Sequence, residues 1–185
     1  MENWALFVSF IAMVLIAASY FMKGKSGFFL YQVLGMIFLM TSYLLTQDYF
    51  PMIGLGIGMG RSITYFVFEK KDKKPSIFWP ILFSTLSVMA YVIINVIILQ
   101  TANSTAIIYL MGLVLYAFIY WIRDLEKMRY LATIPTALSI LYNVVSKAPI
   151  FTVISYTFEL CANVAAIYKY NVKPKMIIQK KIKRK

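Results

Sequence analysis

Long apolar runs alternate with short polar bends along the whole chain. Seven runs have the length of a membrane span or come close to it: 3–22, 27–46, 52–68, 77–99, 104–122, 130–145 and 150–168. A spanning helix takes about 17–25 residues, so the third, sixth and seventh sit at the short end, and the third and sixth also carry glycine or proline. The bends hold only a few residues, which makes each helix an antiparallel neighbour of the next. The pattern predicts an all-α, polytopic membrane protein with seven transmembrane helices in one domain, 1–172, followed by a polybasic tail, 173–185.

Charge gives this arrangement a direction. When the bends are assigned alternately to two sides, all of the nineteen Lys and Arg residues except Arg61 and Lys147 fall on the same side. By the positive-inside rule that side is cytoplasmic, with the N-terminus outside and the C-terminus inside; six or eight spans would spoil the partition. The first run has Glu2 and no basic residue ahead of it, unlike the n-region of a cleaved signal peptide.

Composition narrows the function. With 61% apolar residues and a mean hydropathy of +0.74, the chain is too apolar for a soluble domain. It has no histidine, and Cys161 is its only cysteine, which removes His-dependent triads, zinc motifs and an internal disulfide. No cofactor or metal is expected, and no enzyme, since neither a ligand cluster nor an activated nucleophile is visible. The tail KPKMIIQKKIKRK fits anionic lipid headgroups on the cytoplasmic face. It lacks the folded basic surface or interleaved aromatics of a nucleic-acid binder.

An odd number of spans with comparable ends suggests three helices (1–71), a linker helix (75–100) and three more (103–172). Sliding the chain on itself by 98 residues places Lys25 on Arg123, Pro51 on Pro149 and Arg61 on Glu159. The odd linker span gives both triplets the same direction, as in parallel repeats related by an axis along the membrane normal.

The third run holds the candidate chemistry. Arg61 is the one basic residue inside an apolar run, and Glu159 in the seventh run is the one acidic residue so placed. Ten residues beyond Pro51, at about 1.5 Å each, Arg61 lies near the middle of a ~30 Å hydrocarbon core. Intramembrane charges are candidates for function by default. On the seventh helix Ser155, Glu159 and Asn163 share a face, as do Thr136, Ser139 and Asn143 on the sixth, because side chains at i, i+3, i+4 and i+7 line one stripe. These two stripes, with Arg61, Tyr65 and Tyr142, form the expected substrate-binding set. Gly54, Gly56, Gly58 and Gly60 are expected to let a neighbouring helix approach or slide, and Pro135 to kink the sixth helix towards the cavity. Tyr120 and Trp121, with Phe78, Trp79 and Tyr168, read as interfacial anchors.

Two functions fit. One is a transporter or facilitator of a small polar metabolite, working by alternating access around a midplane site. The other is a non-transporting membrane protein in which Arg61 and Glu159 form a structural ion pair and the basic cytoplasmic face docks lipid or protein. A homo-oligomer, a trimer by analogy with related folds, is compatible with the small size.

The segments GMGRSITYFVFEKK in the third helix and LYNVVSKAPIFTVISYTFELCANVAAIYKYN across the sixth and seventh resemble the YgjV family of bacterial inner-membrane proteins, with Arg61, Tyr142 and Asn143 matching its pattern. The three-plus-one-plus-three architecture is similar to that of SWEET sugar transporters and PnuC vitamin transporters. The resemblance implies a SWEET-like fold in the bacterial cytoplasmic membrane.

Overall fold

The computed structural model describes residues 2–46, 50–98, 104–146 and 150–174. Among them the chain is helical with no strand: α1 (Glu2–Ser19), α2 (Lys25–Thr46), α3 (Phe50–Lys70), α4 (Phe78–Tyr91), α5 (Ser104–Trp121), α6 (Leu125–Val145) and α7 (Ile150–Ile167). Short π-helical segments extend α4 over Val92–Ile98 and α7 over Tyr168–Val172. Pro149, Lys147 and nearly all of the basic tail lie outside the described residues.

Local chemistry fixes several helix ends. Asp124 caps α6 by accepting from the backbone N–H of Glu126 at 2.8 Å and of Lys127 at 3.3 Å, which satisfies donors that the first turn leaves free. Beyond α3, Asp72 takes a left-handed backbone with φ 46°, a conformation that Asp tolerates better than most residues. Its carboxylate pairs with Arg123, tying the bend after α3 to the one after α5.

Six helices close a ring. α1 packs on α2 and α2 on α3; α5 packs on α6 and α6 on α7; the two triplets meet where α1 touches α7 and where α3 touches α5, while α4 stands outside against α3 and α5. Contacts between α1 and α2 recur between α5 and α6 one hundred residues later. Ser9 meets Ser42 as Tyr109 meets Tyr142. The pair of positions 12 and 35, where Gly35 lies against the Ala12 carbonyl, recurs as 112 and 135 with the roles exchanged, Gly112 lying against the Pro135 carbonyl.

The interior holds many polar side chains, and the outside exposes many large apolar ones. Gln32, Arg61, Arg129, Thr136, Asn143 and Asn163 are buried, whereas Phe7, Phe10, Leu34, Ile63, Leu131 and Phe158 stand exposed. Such a surface suits hydrocarbon as solvent far better than water. By length and hydropathy one described helix, Lys25–Leu45, qualifies as a span; Trp4–Ser19, Phe78–Ile94 and Ile107–Trp121 are apolar but shorter. Glycines and Arg61 dilute α3, and charge and a polar stripe dilute α6.

Candidate functional site

The ring encloses a cavity of about 600 Å³, within the range of roughly 300–1,000 Å³ typical of small-molecule sites. It is walled by α1 (Ser9, Ala12, Met13), α2 (Gln32, Met36, Tyr43), α3 (Gly54, Gly58, Arg61), α5 (Tyr109, Leu113, Tyr116, Tyr120) and α7 (Thr152, Ser155, Tyr156, Glu159). Both triplets therefore contribute. The cavity extends from Leu6, Tyr43 and Thr152 down to Arg61, Tyr120 and Glu159.

Below that floor the interior is filled. Tyr20, Phe28, Phe29, Tyr65 and Tyr120 form a buried aromatic cluster with Met128 and Ile119, held by edge contacts such as Tyr20 to Phe28 at 5.3 Å and Phe28 to Tyr120 at 5.4 Å between ring centres. Edge-to-face contact suits rings with negative faces and positive rims. Hydrogen bonds between the triplets cluster at this end. Arg129 donates from Nε to the Tyr20 carbonyl at 3.1 Å and from Nη2 to that of Met22 at 2.5 Å. Tyr170 donates to the Phe21 carbonyl, Tyr65 to that of Ala117 and the Trp121 indole to that of Pro75.

Arg61 and Glu159 both reach the cavity floor, each as the last lining residue of its helix. Seven residues separate Gly54 from Arg61 and Thr152 from Glu159, so the two helices present their charges at matching depth. They do not form the ion pair of the second, structural reading: among the described residues the one pair within bridging distance is Arg123 with Asp72. The Arg61 guanidinium lies over the rings of Tyr120 at 4.9 Å and Tyr116 at 5.5 Å, a cation–π arrangement that neutralises no charge. Nη1 donates to the Leu113 carbonyl at 3.4 Å, and Nε is buried with no partner. Glu159 accepts a 2.7 Å hydrogen bond from the Tyr20 hydroxyl and has Tyr116 at a long 3.5 Å.

Tyr116 stands between the two charges and is itself positioned from α6. Thr136 donates to the Ala132 carbonyl at 2.8 Å and shares a 2.7 Å hydrogen bond with the Tyr116 hydroxyl. With its own proton used on Ala132, Thr136 accepts from Tyr116.

The remaining expected site residues fall elsewhere. Ser155 lines the cavity, but Thr136, Ser139, Asn143 and Asn163 do not. Ser139 donates to the Pro135 carbonyl and Asn143 to that of Ser139, both within α6, and Asn163 donates to the Arg129 carbonyl at 3.0 Å. Their stripe faces α5 and α7, where polar side chains in an apolar chain find partners. Tyr65 lies in the aromatic cluster, and Tyr142 stacks behind Tyr109 at 5.1 Å. Pro135 sits in the α5–α6 contact opposite Gly112, so α6 supplies no cavity wall.

The α3 glycines also differ from expectation. A methyl group on Gly54, Gly56, Gly58 or Gly60 would meet no backbone atom of a neighbouring helix within 4 Å, so they are not a close-packing seam. Gly54 and Gly58 instead leave room in the cavity. Close approach is made by Gly35, where a methyl group would lie 2.5 Å from Ile16 Cγ1 and 3.2 Å from the Ala12 carbonyl oxygen.

Tyr109, Tyr116 and Tyr120 were not among the expected site residues, although with Leu113 they follow the i, i+4, i+7, i+11 spacing of one helix face. Tyr120, read from sequence as an interfacial anchor, is 2% exposed and packs under Arg61. An aromatic stripe in an apolar helix carries no mark of which way it faces.

The sequence model of the family described as Imp-YgjV, bacterial inner membrane protein, matches residues 3–173. The chain belongs to this family. The match runs through every helix of the Imp-YgjV chain and places it in the bacterial inner membrane. No curated protein and no solved structure matches it.

Proposed function

We propose that this protein is a seven-span transporter or facilitator that moves a small polar molecule across the inner membrane by alternating access. The observation that carries the reading is the cavity itself: both triplets wall it, and it ends on two opposite, mutually unpaired charges at one depth. Repeat-built transporters place their substrates at such a midplane junction. Two features support a parallel repeat. Exchanging α1 with α5, α2 with α6 and α3 with α7 carries the α1–α7 contact onto the α3–α5 contact, and the α1–α2 contacts recur one hundred residues on.

The cavity reaches towards the end that bears the N-terminus, and the aromatic cluster fills the end that bears the Lys- and Arg-rich bends. With the basic face in the cytoplasm and resting on anionic lipid, this is an outward-facing conformation. Transport then requires the cytoplasmic contacts to part while the α1–α7 and α3–α5 junctions close above the cavity.

The test is uptake. Arg61→Gln and Glu159→Gln, each made at unchanged membrane abundance, are expected to reduce accumulation of a transported compound to background in whole cells or proteoliposomes. Wild-type rates in both variants would remove the cavity from the transport path.

A further inference from the structure

The two charges on the cavity floor define the ligand more narrowly than "small and polar". Arg61 is 4% exposed, lines the cavity, and has a buried Nε with no partner and one long bond from Nη1. A buried charge without a counter-ion is costly, and its partner is worth correspondingly more. Glu159, on the facing helix, takes one short hydrogen bond on Oε1, and its other oxygen takes none from a described residue. The floor thus carries one uncompensated positive and one uncompensated negative group, separated by the Tyr116 ring.

A simple anion would satisfy Arg61 and leave Glu159 facing like charge. A simple cation would do the reverse, and a neutral polyol would satisfy neither charge. Several polar side chains at the wall are engaged with one another or with residues behind it: Ser9 with Ser42, Gln32 with Ser19, and Tyr116 with Thr136. Beside the hydroxyl groups of Tyr43, Tyr109, Thr152, Ser155 and Tyr156, the wall has a large apolar part that includes Met13, Ile16, Met36, Leu39, Leu55 and Leu113.

We infer that the ligand is a small zwitterion with an apolar or aromatic body, of the hydrophobic amino-acid type: its carboxylate meets Arg61, its ammonium meets Glu159 and its side chain fills the apolar part of the cavity. This rests on the transport reading for its site and adds the substrate class.

The experiment is equilibrium binding to the purified full-length chain, by thermal shift and calorimetry. The probes are L-leucine, L-methionine, L-phenylalanine and L-tryptophan, with three comparison compounds: 3-phenylpropanoate, which lacks the ammonium; phenethylamine, which lacks the carboxylate; and glucose. At least one amino acid is expected to bind and to raise the melting temperature by mass action. Removal of either charged group should weaken binding at least about thirtyfold, as loss of one member of a buried charge pair does. In Arg61→Gln, phenylalanine should lose its advantage over phenethylamine; if that variant does not fold, the wild-type comparison decides alone. Binding of 3-phenylpropanoate or glucose as tightly as phenylalanine overturns the inference, and so does the failure of all four amino acids to bind. Amino-acid binding without uptake into proteoliposomes would keep the ligand class and sink transport. Uptake of glucose with no amino-acid binding would do the opposite.

Discussion

Arg61 illustrates how sequence can place one residue and leave its partner open. A lone arginine deep in an apolar run has to turn inwards, because facing hydrocarbon is expensive, and it does. What it meets there depends on which helix rotates which face towards it, and the answer is two tyrosine rings and the Leu113 carbonyl in place of Glu159. The glycines follow the same logic. A methyl group at Gly56 meets nothing within 4 Å, so Gly56→Ala should leave the folding stability in detergent, read from thermal melts, unchanged or raise it by up to about 1 kcal/mol of helix propensity. Gly35→Ala should lower it by about 1–3 kcal/mol, since overpacking forces α1 and α2 apart at Ile16 and Ala12. Equal effects of the two substitutions would contradict the packing.

At the scale of the element, the chain announces its helices more clearly than their rotations. The apolar run 130–145 predicts where α6 ends, but the helix begins five residues earlier, at Leu125, because Asp124 caps a polar first turn that hydropathy does not register. The stripe of Thr136, Ser139 and Asn143 was legible as one face, but not that this face would be used up against its own backbone and α5. Polar groups in an apolar helix need partners whether or not a cavity is near, so spacing alone could not separate the two uses. The start of α6 matters more for the fold, because Arg129 clasps the α1–α2 bend through two carbonyls. Arg129→Leu leaves both without their donor and should cost about 1.5–3 kcal/mol, the range for hydrogen bonds to a charged group. A melting temperature within experimental error of the wild type would show that the clasp contributes nothing to closing that end.

For the whole molecule, the distribution of basic residues and the direction of the cavity make one joint prediction. In a Cys161→Ser background, Leu6→Cys should react in intact cells with a membrane-impermeant maleimide, because Leu6 is exposed at the mouth of the cavity. Lys73→Cys, on the exposed basic bend after α3, should react only after the membrane is opened. The reverse pattern would invert the topology and make the cavity inward-facing. Hydropathy in the sequence carried the seven helices and their order, while charge supplies the orientation that this labelling tests. The sequence suggests an offset of 98, whereas the α1–α2 contacts recur at one hundred; the residue types change while the positions are kept, from Ser9 and Ser42 to Tyr109 and Tyr142, so sequence matching could not find the offset.

Under the proposed parallel repeat, that recurrence also orders events in time. If the triplets descend from one ancestral unit that paired with a copy of itself, both sides of the ancestral cavity were identical, and its floor carried two like groups or none. An arginine on one side and a glutamate on the other could arise only after the two copies were joined in one chain and free to diverge. The capacity to hold opposite charges across the cavity would then be younger than the fold that positions them.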